Sequence, residues 1–276
     1  MPLVLPTFED MLALLIAFLV LGAFDRSNQS RSYAFTHSVN FFRSDRTSCL
    51  LASTKSDNDN KMVWKVLVLH GKYDNGSNFR RTLQPLKKLL EEKNSNRNWE
   101  WTFLTAPYQI RKKDSSNEKF EWWTLKPGER SFTATEYGGF DASAKMVIQE
   151  LPKYDFCIGH SQGAILLTSL LAQSSSLPIL RGGYIWNGAA WPNPFSDQLE
   201  SLSAYTEQQK NQNGLVIVGD NDDINPPEGA LRVRDLLTNI GMEISTLHHK
   251  GGHSVPISDD VALQSIISWM LKMTEK

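Results

Sequence analysis

From Met62 onward the chain alternates between two hydrophobic patterns. Short β-rich runs, VWKVLVL at 63–69, WEWTFL at 99–104, DFCI at 155–158, GYIW at 183–186, LVIVG at 215–219 and EISTLH at 243–248, are each bounded by turn residues and predict strands. Between them, apolar positions recur at helical spacing over 79–92, 141–151, from Gln162 onward, over 228–240 and over 259–272. Ser77 is placed to cap the first of these helices. Strands separated by helices predict an α/β fold, a mostly parallel central sheet with helices on both faces. Such sheets gather their chemistry in the loops that follow the carboxyl ends of the strands.

The first 61 residues follow a different pattern. MLALLIAFLVLGAF, residues 11–24, is an uninterrupted apolar run of signal-peptide length, shorter than the roughly 20 residues a helical membrane span needs. From Arg26 to Ser56 there are five Arg or Lys, eight Ser and a single acidic residue, Asp45, which is transit-peptide composition. A hydrophobic signal followed by such a segment, with Phe24 just past the cleavage point, resembles the bipartite presequences of complex plastids. The resemblance implies a plastid or other organelle address for 1–61, set against a cytoplasmic protein with a disordered extension and an effective start at Met62. The globular domain is accordingly assigned to 62–276, without a stable membrane span.

Charge and cysteine usage then narrow the function classes. With 29 Lys plus Arg against 30 Asp plus Glu, the balance offers no electrostatic case for nucleic acid. The two cysteines, Cys49 and Cys157, form neither a disulfide framework nor a zinc pattern.

Chemistry enters at GHSQG, residues 159–163. An apolar strand run precedes it and a helical run follows, so the chain turns sharply at Ser161 and its flanking glycines relieve the crowding. That is the pattern of a nucleophile elbow, which lifts a serine hydroxyl to where a base and a carbonyl carbon can reach it. A serine hydroxyl is a weak nucleophile without an imidazole in hydrogen-bond reach. Of six histidines, His253 follows two glycines in a loop able to fold over the elbow and is the candidate base. His70 ends the first strand, where a structural hydrogen-bonding role is expected, and the side chain of His160 should point away from its neighbour Ser161. Asp220, Asp222 and Asp223 compete as the acid that orients the base, in the loop after 215–219.

Several segments in order carry a resemblance: LVLHGKYDNGSNFR (67–80), FLTAP (103–107), EWWTL (121–125), YGGFDAS (137–143), GGYIWNGAAWP (182–192), LVIVGDNDDINPPEGA (215–230) and LHHKGGHSVP (247–256). With the elbow, they make 62–276 similar to the FSH-type serine hydrolases of the α/β-hydrolase superfamily. The resemblance implies a serine hydrolase that cleaves a small carboxylic ester or thioester through an acyl-enzyme, without cofactor or metal. It selects Asp222, three residues after Gly219 and four before Pro226, with Asp223 as runner-up. By the fold it implies, the oxyanion donors are the backbone N–H groups of Gln162 and Lys72. His160 stands where the family more often has phenylalanine, which raises an acyl-protein thioesterase or carboxylesterase kinship; an acyltransferase, with an alcohol replacing water, is an alternative within the same machinery. A hydrolase-fold binding module with negligible turnover is the alternative from another class. Only 26 residues, 189–214, separate two strands where a cap domain would be inserted, so the mouth should be open. Trp122, Trp123 and Trp191 are expected to line a short aromatic acyl pocket.

Overall fold

The structure is a computed structural model that describes residues 62–110, 118–174, 177–202 and 212–276. The targeting segment expected in 1–61 lies outside the described residues. Among the described residues eight strands occur in chain order: β1 (Val63–Leu69), β2 (Asn98–Leu104), β3 (Tyr108–Ile110), β4 (Lys119–Glu121), β5 (Phe156–His160), β6 (Gly183–Asn187), β7 (Asn213–Gly219) and β8 (Glu243–His249). Six of them form one sheet in the order β2-β1-β5-β6-β7-β8, and every pairing in it is parallel. This is the predicted α/β-hydrolase architecture, with strand boundaries within two residues of those the hydrophobic runs imply.

Alternation along the strands divides the core in two. Trp64, Val66 and Val68 of β1, with Phe156 and Ile158 of β5, face one cluster, while Leu67, Leu69 and Cys157 face the other. Helices α1 (Gly76–Thr82), α2 (Gln84–Lys93) and α7 (Asp260–Met273) cover the first face. Helices α3 (Phe140–Glu150), α4 (Gln162–Ser174) and α6 (Pro227–Asn239) cover the second. Because both faces are covered, β7 is buried along its whole length and shows no polar alternation.

Two local expectations change. The single helix over 79–92 is two, α1 and α2, because Pro85 has no N–H to continue the first and sits favourably in the opening turn of the second. The cap on α1 is Asn75, whose Oδ1 accepts from the Asn78 N–H at 2.9 Å, and not Ser77. The hydrophobic pattern also gave no sign of the antiparallel ribbon β3–β4 or of the short helix α5 (Ser196–Glu200). Between β6 and β7 the described residues 188–202 hold one 3-10 turn and α5. Among the described residues no helix is long and apolar enough to cross a membrane.

Candidate active site

The site is built where β5 runs into α4. Ser161 has φ 51°, left-handed backbone that a side-chain-bearing residue adopts only under constraint. The constraint is close packing of the strand, the turn and the helix. A Cβ on Gly159 would lie 2.7 Å from the Gly163 carbonyl oxygen, and one on Gly163 would lie 2.5 Å from that of Leu69. Both glycines are therefore required by close backbone approach.

Two further loops bring the partners. His253 Nε2 lies 2.8 Å from Ser161 Oγ, and His253 Nδ1 lies 2.7 Å from Asp222 Oδ2. The other carboxylate oxygen of Asp222 accepts the N–H groups of Ile224 at 3.0 Å and Asn225 at 2.8 Å. Burial of Asp222 opposes its charge, but the bonds from His253 and the two backbone N–H groups outweigh it and hold its carboxyl below the usual range. The carboxylate is thus anionic and aimed. Its competitors go elsewhere: Asp220 Oδ1 pairs with His248 Nδ1 at 2.8 Å near the surface, and Asp223 is exposed.

The loops carrying Asp222 and His253 are laced to each other. The Asp220 N–H donates to the His249 carbonyl and the Asn221 N–H to that of Gly251, while a Cβ on Gly219 would meet the Gly252 carbonyl oxygen at 2.2 Å. Gly188, φ 57°, follows β6 and sits against the His253 ring, where a Cβ would lie 3.1 Å from the imidazole. Asn225 ties the same region together by donating from Nδ2 to the Gly188 carbonyl at 2.7 Å. Gly188 and Asn225 were not singled out from sequence. Their signal was present only as small or amide residues within the NGAAWP and DDINPP segments.

Ser161 and His253 open onto a cleft of about 390 Å³ that is also lined by Gly71, Lys72, Gln162, Asn225 and His160. Tyr73, Leu125, Ile165 and Ile224 supply its apolar surface, and residues 128–131 supply part of its rim. The expected indole wall is absent from it. Trp122 and Trp123 are fully buried and Trp191 nearly so, and none of the three lines the cleft. Trp123 stacks on Tyr137 with ring centroids 4.4 Å apart, and Trp191 lies under the Arg232 guanidinium while its Nε1 donates to Ser196 Oγ. Their large apolar rings fill the core between helices and loops, where burial gains most.

Trp122 has a different place. Its backbone N–H donates to Gln162 Oε1 at 2.9 Å, and its Nε1 donates to the His70 carbonyl at 2.7 Å. It therefore tethers the start of α4 to the loop after β1, behind the cleft. The Gln162 side chain completes this by donating to the Trp123 carbonyl at 3.2 Å.

His160 makes no hydrogen bond to Ser161. Its Nδ1 accepts from Asn187 Nδ2 at 2.8 Å, and its ring stacks on Phe79. Burial, with His253 5.1 Å away between ring centroids, pushes its pKa down to about 3, so the ring is neutral. Among the described residues no group of three His, Cys, Asp or Glu side chains is placed to hold a metal ion.

The chain resembles known proteins in sequence and in fold. Esterase OVCA2 of Danio rerio is 28% identical over 222 residues, covering 70% of this chain and 90% of its own. Esterase CG5412 of Drosophila melanogaster is 27% identical over 211 residues, covering 70% and 68%. Among solved structures, Arabidopsis thaliana SOBER1 superposes with a TM-score of 0.54 at 20% identity, covering 77% of this chain and 99% of its own. Zea mays acyl-protein thioesterase 2 superposes with a TM-score of 0.52 at 18% identity, covering 78% and 95%, a likeness of fold. The family model described as serine hydrolase (FSH1) matches residues 61–264, and the chain belongs to that family of serine hydrolases.

Proposed function

We propose that the protein hydrolyses a carboxylic ester through an acyl-enzyme on Ser161. The observation that carries this reading is the continuous hydrogen-bonded series Asp222, His253, Ser161, with links of 2.7 and 2.8 Å. Such a series gives each residue one role. His253 Nε2 removes the proton from Ser161 Oγ as the oxygen attacks the acyl carbon. Asp222 keeps the His253 proton on Nδ1 and stabilises the imidazolium that forms. The negative charge appearing on the substrate oxygen is met by the backbone N–H of Gln162, at the positive end of the α4 dipole, and by that of Lys72. Collapse of the tetrahedral species expels the alcohol, which takes the proton from His253. Water then attacks the acyl carbon as His253 takes its proton, and collapse of this second tetrahedral species releases the acid while Ser161 Oγ recovers the proton from His253.

The curated relatives named as esterases favour an oxygen ester. A thioester uses the same steps with a thiol leaving group. The cleft walls, apolar at Tyr73, Leu125, Ile165 and Ile224, suit an aliphatic or aryl acyl group. The test is labelling of the full chain with a fluorophosphonate, alongside hydrolysis of p-nitrophenyl esters and the matching thioesters. Labelling and turnover that both vanish in Ser161→Ala support the reading. An unlabelled wild-type protein refutes it in favour of a binding module, and preferential turnover of thioesters transfers the leaving group from alcohol to thiol.

A further inference from the structure

The loop after β1 contains one peptide group whose orientation decides whether a second N–H faces the substrate oxygen. That group joins Gly71 to Lys72. In a planar trans peptide the carbonyl of one residue and the N–H of the next point in opposite directions, so fixing one end fixes the other. The Gly71 carbonyl is fixed by a buried histidine: His70 Nδ1 lies 2.7 Å from it.

The ring's proton can be assigned from backbone partners alone. The Ala106 backbone N–H donates to His70 Nε2 at 3.0 Å, and a backbone N–H can only donate, so Nε2 is the acceptor. The neutral ring therefore has its proton on Nδ1, where it donates to the Gly71 carbonyl oxygen, which can only accept. Burial lowers the His70 pKa, against opposing contributions from Gly71 and Asp74, which keeps the ring in this neutral, two-sided form. The ring itself is held, since the His70 carbonyl accepts from Trp122 Nε1 and the imidazole packs against that indole at 5.3 Å between centroids.

The far side of the turn is pinned independently. Tyr73 has φ 67°, and its N–H donates to the Phe120 carbonyl of β4 at 2.9 Å, while Phe120 N–H donates back to the Asp74 carbonyl. Lys72 Nζ pairs with Glu121 of the same strand at 2.9 Å. Gly71, Lys72, Tyr73 and Asp74 all stand in the wall of the cleft that holds Ser161. A side chain on Gly71 would collide with it, its Cβ 3.0 Å from Ser161 Cβ.

We infer that His70 is a positioning residue for the oxyanion hole: by donating from Nδ1 to the Gly71 carbonyl, it turns the Lys72 N–H toward the oxygen on which charge develops. The inference rests on the hydrolase reading above and names a residue which that reading leaves outside the reaction. It separates two amide substitutions. An asparagine amide nitrogen falls near the place of Nδ1 and retains the donor to Gly71, whereas a glutamine amide reaches the place of Nε2 and retains only the acceptor for Ala106.

The experiment measures kcat, KM and melting temperature for His70→Asn and His70→Gln in the full chain, with a p-nitrophenyl ester. H70Q is expected to lose about 10- to 100-fold in kcat with KM within about two-fold, because only the transition state needs the donor. H70N is expected to retain kcat within about five-fold, even though it loses the Ala106 bond. Equal kcat in the two variants, or a kcat that simply follows melting temperature, overturns the inference. If a variant fails to fold, 15N spectra of the wild-type protein decide. A protonated Nδ1 with an unprotonated Nε2 at His70, and a downfield shift of the Lys72 amide proton in a boronate adduct of Ser161, are the expected result. The opposite tautomer, or an unmoved Lys72 amide, overturns it. Failure of fluorophosphonate to label Ser161 in the wild-type protein would overturn the hydrolase reading and this inference together; labelling with equal kcat in H70Q and H70N overturns the inference alone.

Discussion

Trp123→Ala separates a pocket role from a core role. The side chain is fully buried, stacks on Tyr137 at 4.4 Å, meets Phe140 at 6.0 Å, and does not line the cleft. Removing an indole from such a site costs about 3–5 kcal/mol in lost transfer energy and cavity, and the stacked pair adds about 0.5–1.5 kcal/mol to the burial itself. Among the described residues Trp123 Nε1 is buried without a hydrogen-bond partner, so no bond to them is lost. Trp123→Phe should therefore cost much less: it retains a ring against Tyr137 and removes a buried N–H whose desolvation is worth about 1–3 kcal/mol. For a domain of this size each kcal/mol lowers the melting temperature by about 2–4 °C, so W123A should fall by roughly 7–26 °C and W123F by a few degrees. The assay is thermal unfolding of both variants, paired with kcat/KM across a p-nitrophenyl ester series of increasing acyl length at a temperature where each is folded. The ratio between short and long esters should stay as in the wild-type protein. A W123A protein with unchanged melting temperature and a shifted chain-length preference would refute the core assignment and return the indole to the acyl site.

The remaining predictions concern the elbow and its partners. Asp222→Asn should lower kcat by about 10⁴-fold while Asp223→Asn stays within about two-fold; the reverse order would move the acid by one residue. Gly163→Ala should destabilise by about 1–3 kcal/mol in urea unfolding, because its Cβ would meet the Leu69 backbone and push α4 from β1, and an unchanged midpoint would contradict that packing. His160 is neutral in the fold, its pKa near 3 against 6.5 for the free group, so the unfolded chain takes up the proton first as pH falls. Its contribution is complete above the unfolded value and is lost as pH drops toward the folded one. Between about pH 7.5 and about pH 4.5 the wild-type protein should lose up to about 3 kcal/mol more stability than His160→Phe, and parallel losses in urea titrations would remove His160 as the cause.

The sequence determined what depends on short-range pattern. The order of strands and helices follows from runs of apolar residues whose period is local, and the elbow from five consecutive residues whose backbone leaves no room for side chains at two of them. The break at Pro85 was not read from the sequence, where apolar spacing runs on at helical period over 79–92. Tertiary structure decided everything that needs two distant segments at once. Asp222 faces His253 while Asp220 and Asp223 do not, because the loops after β7 and β8 pack backbone to backbone at Gly219 and Gly252. The tryptophans were placed by the volume left between helices and sheet, and no local pattern states which side of a loop that volume lies on. The ribbon β3–β4 has three-residue strands, too short to show a period, yet it pins the turn at Tyr73. His70 shows the division within one residue: its chain position beside the glycine was readable, but its proton, and hence the direction of the Lys72 N–H, is set by Ala106, 36 residues further along.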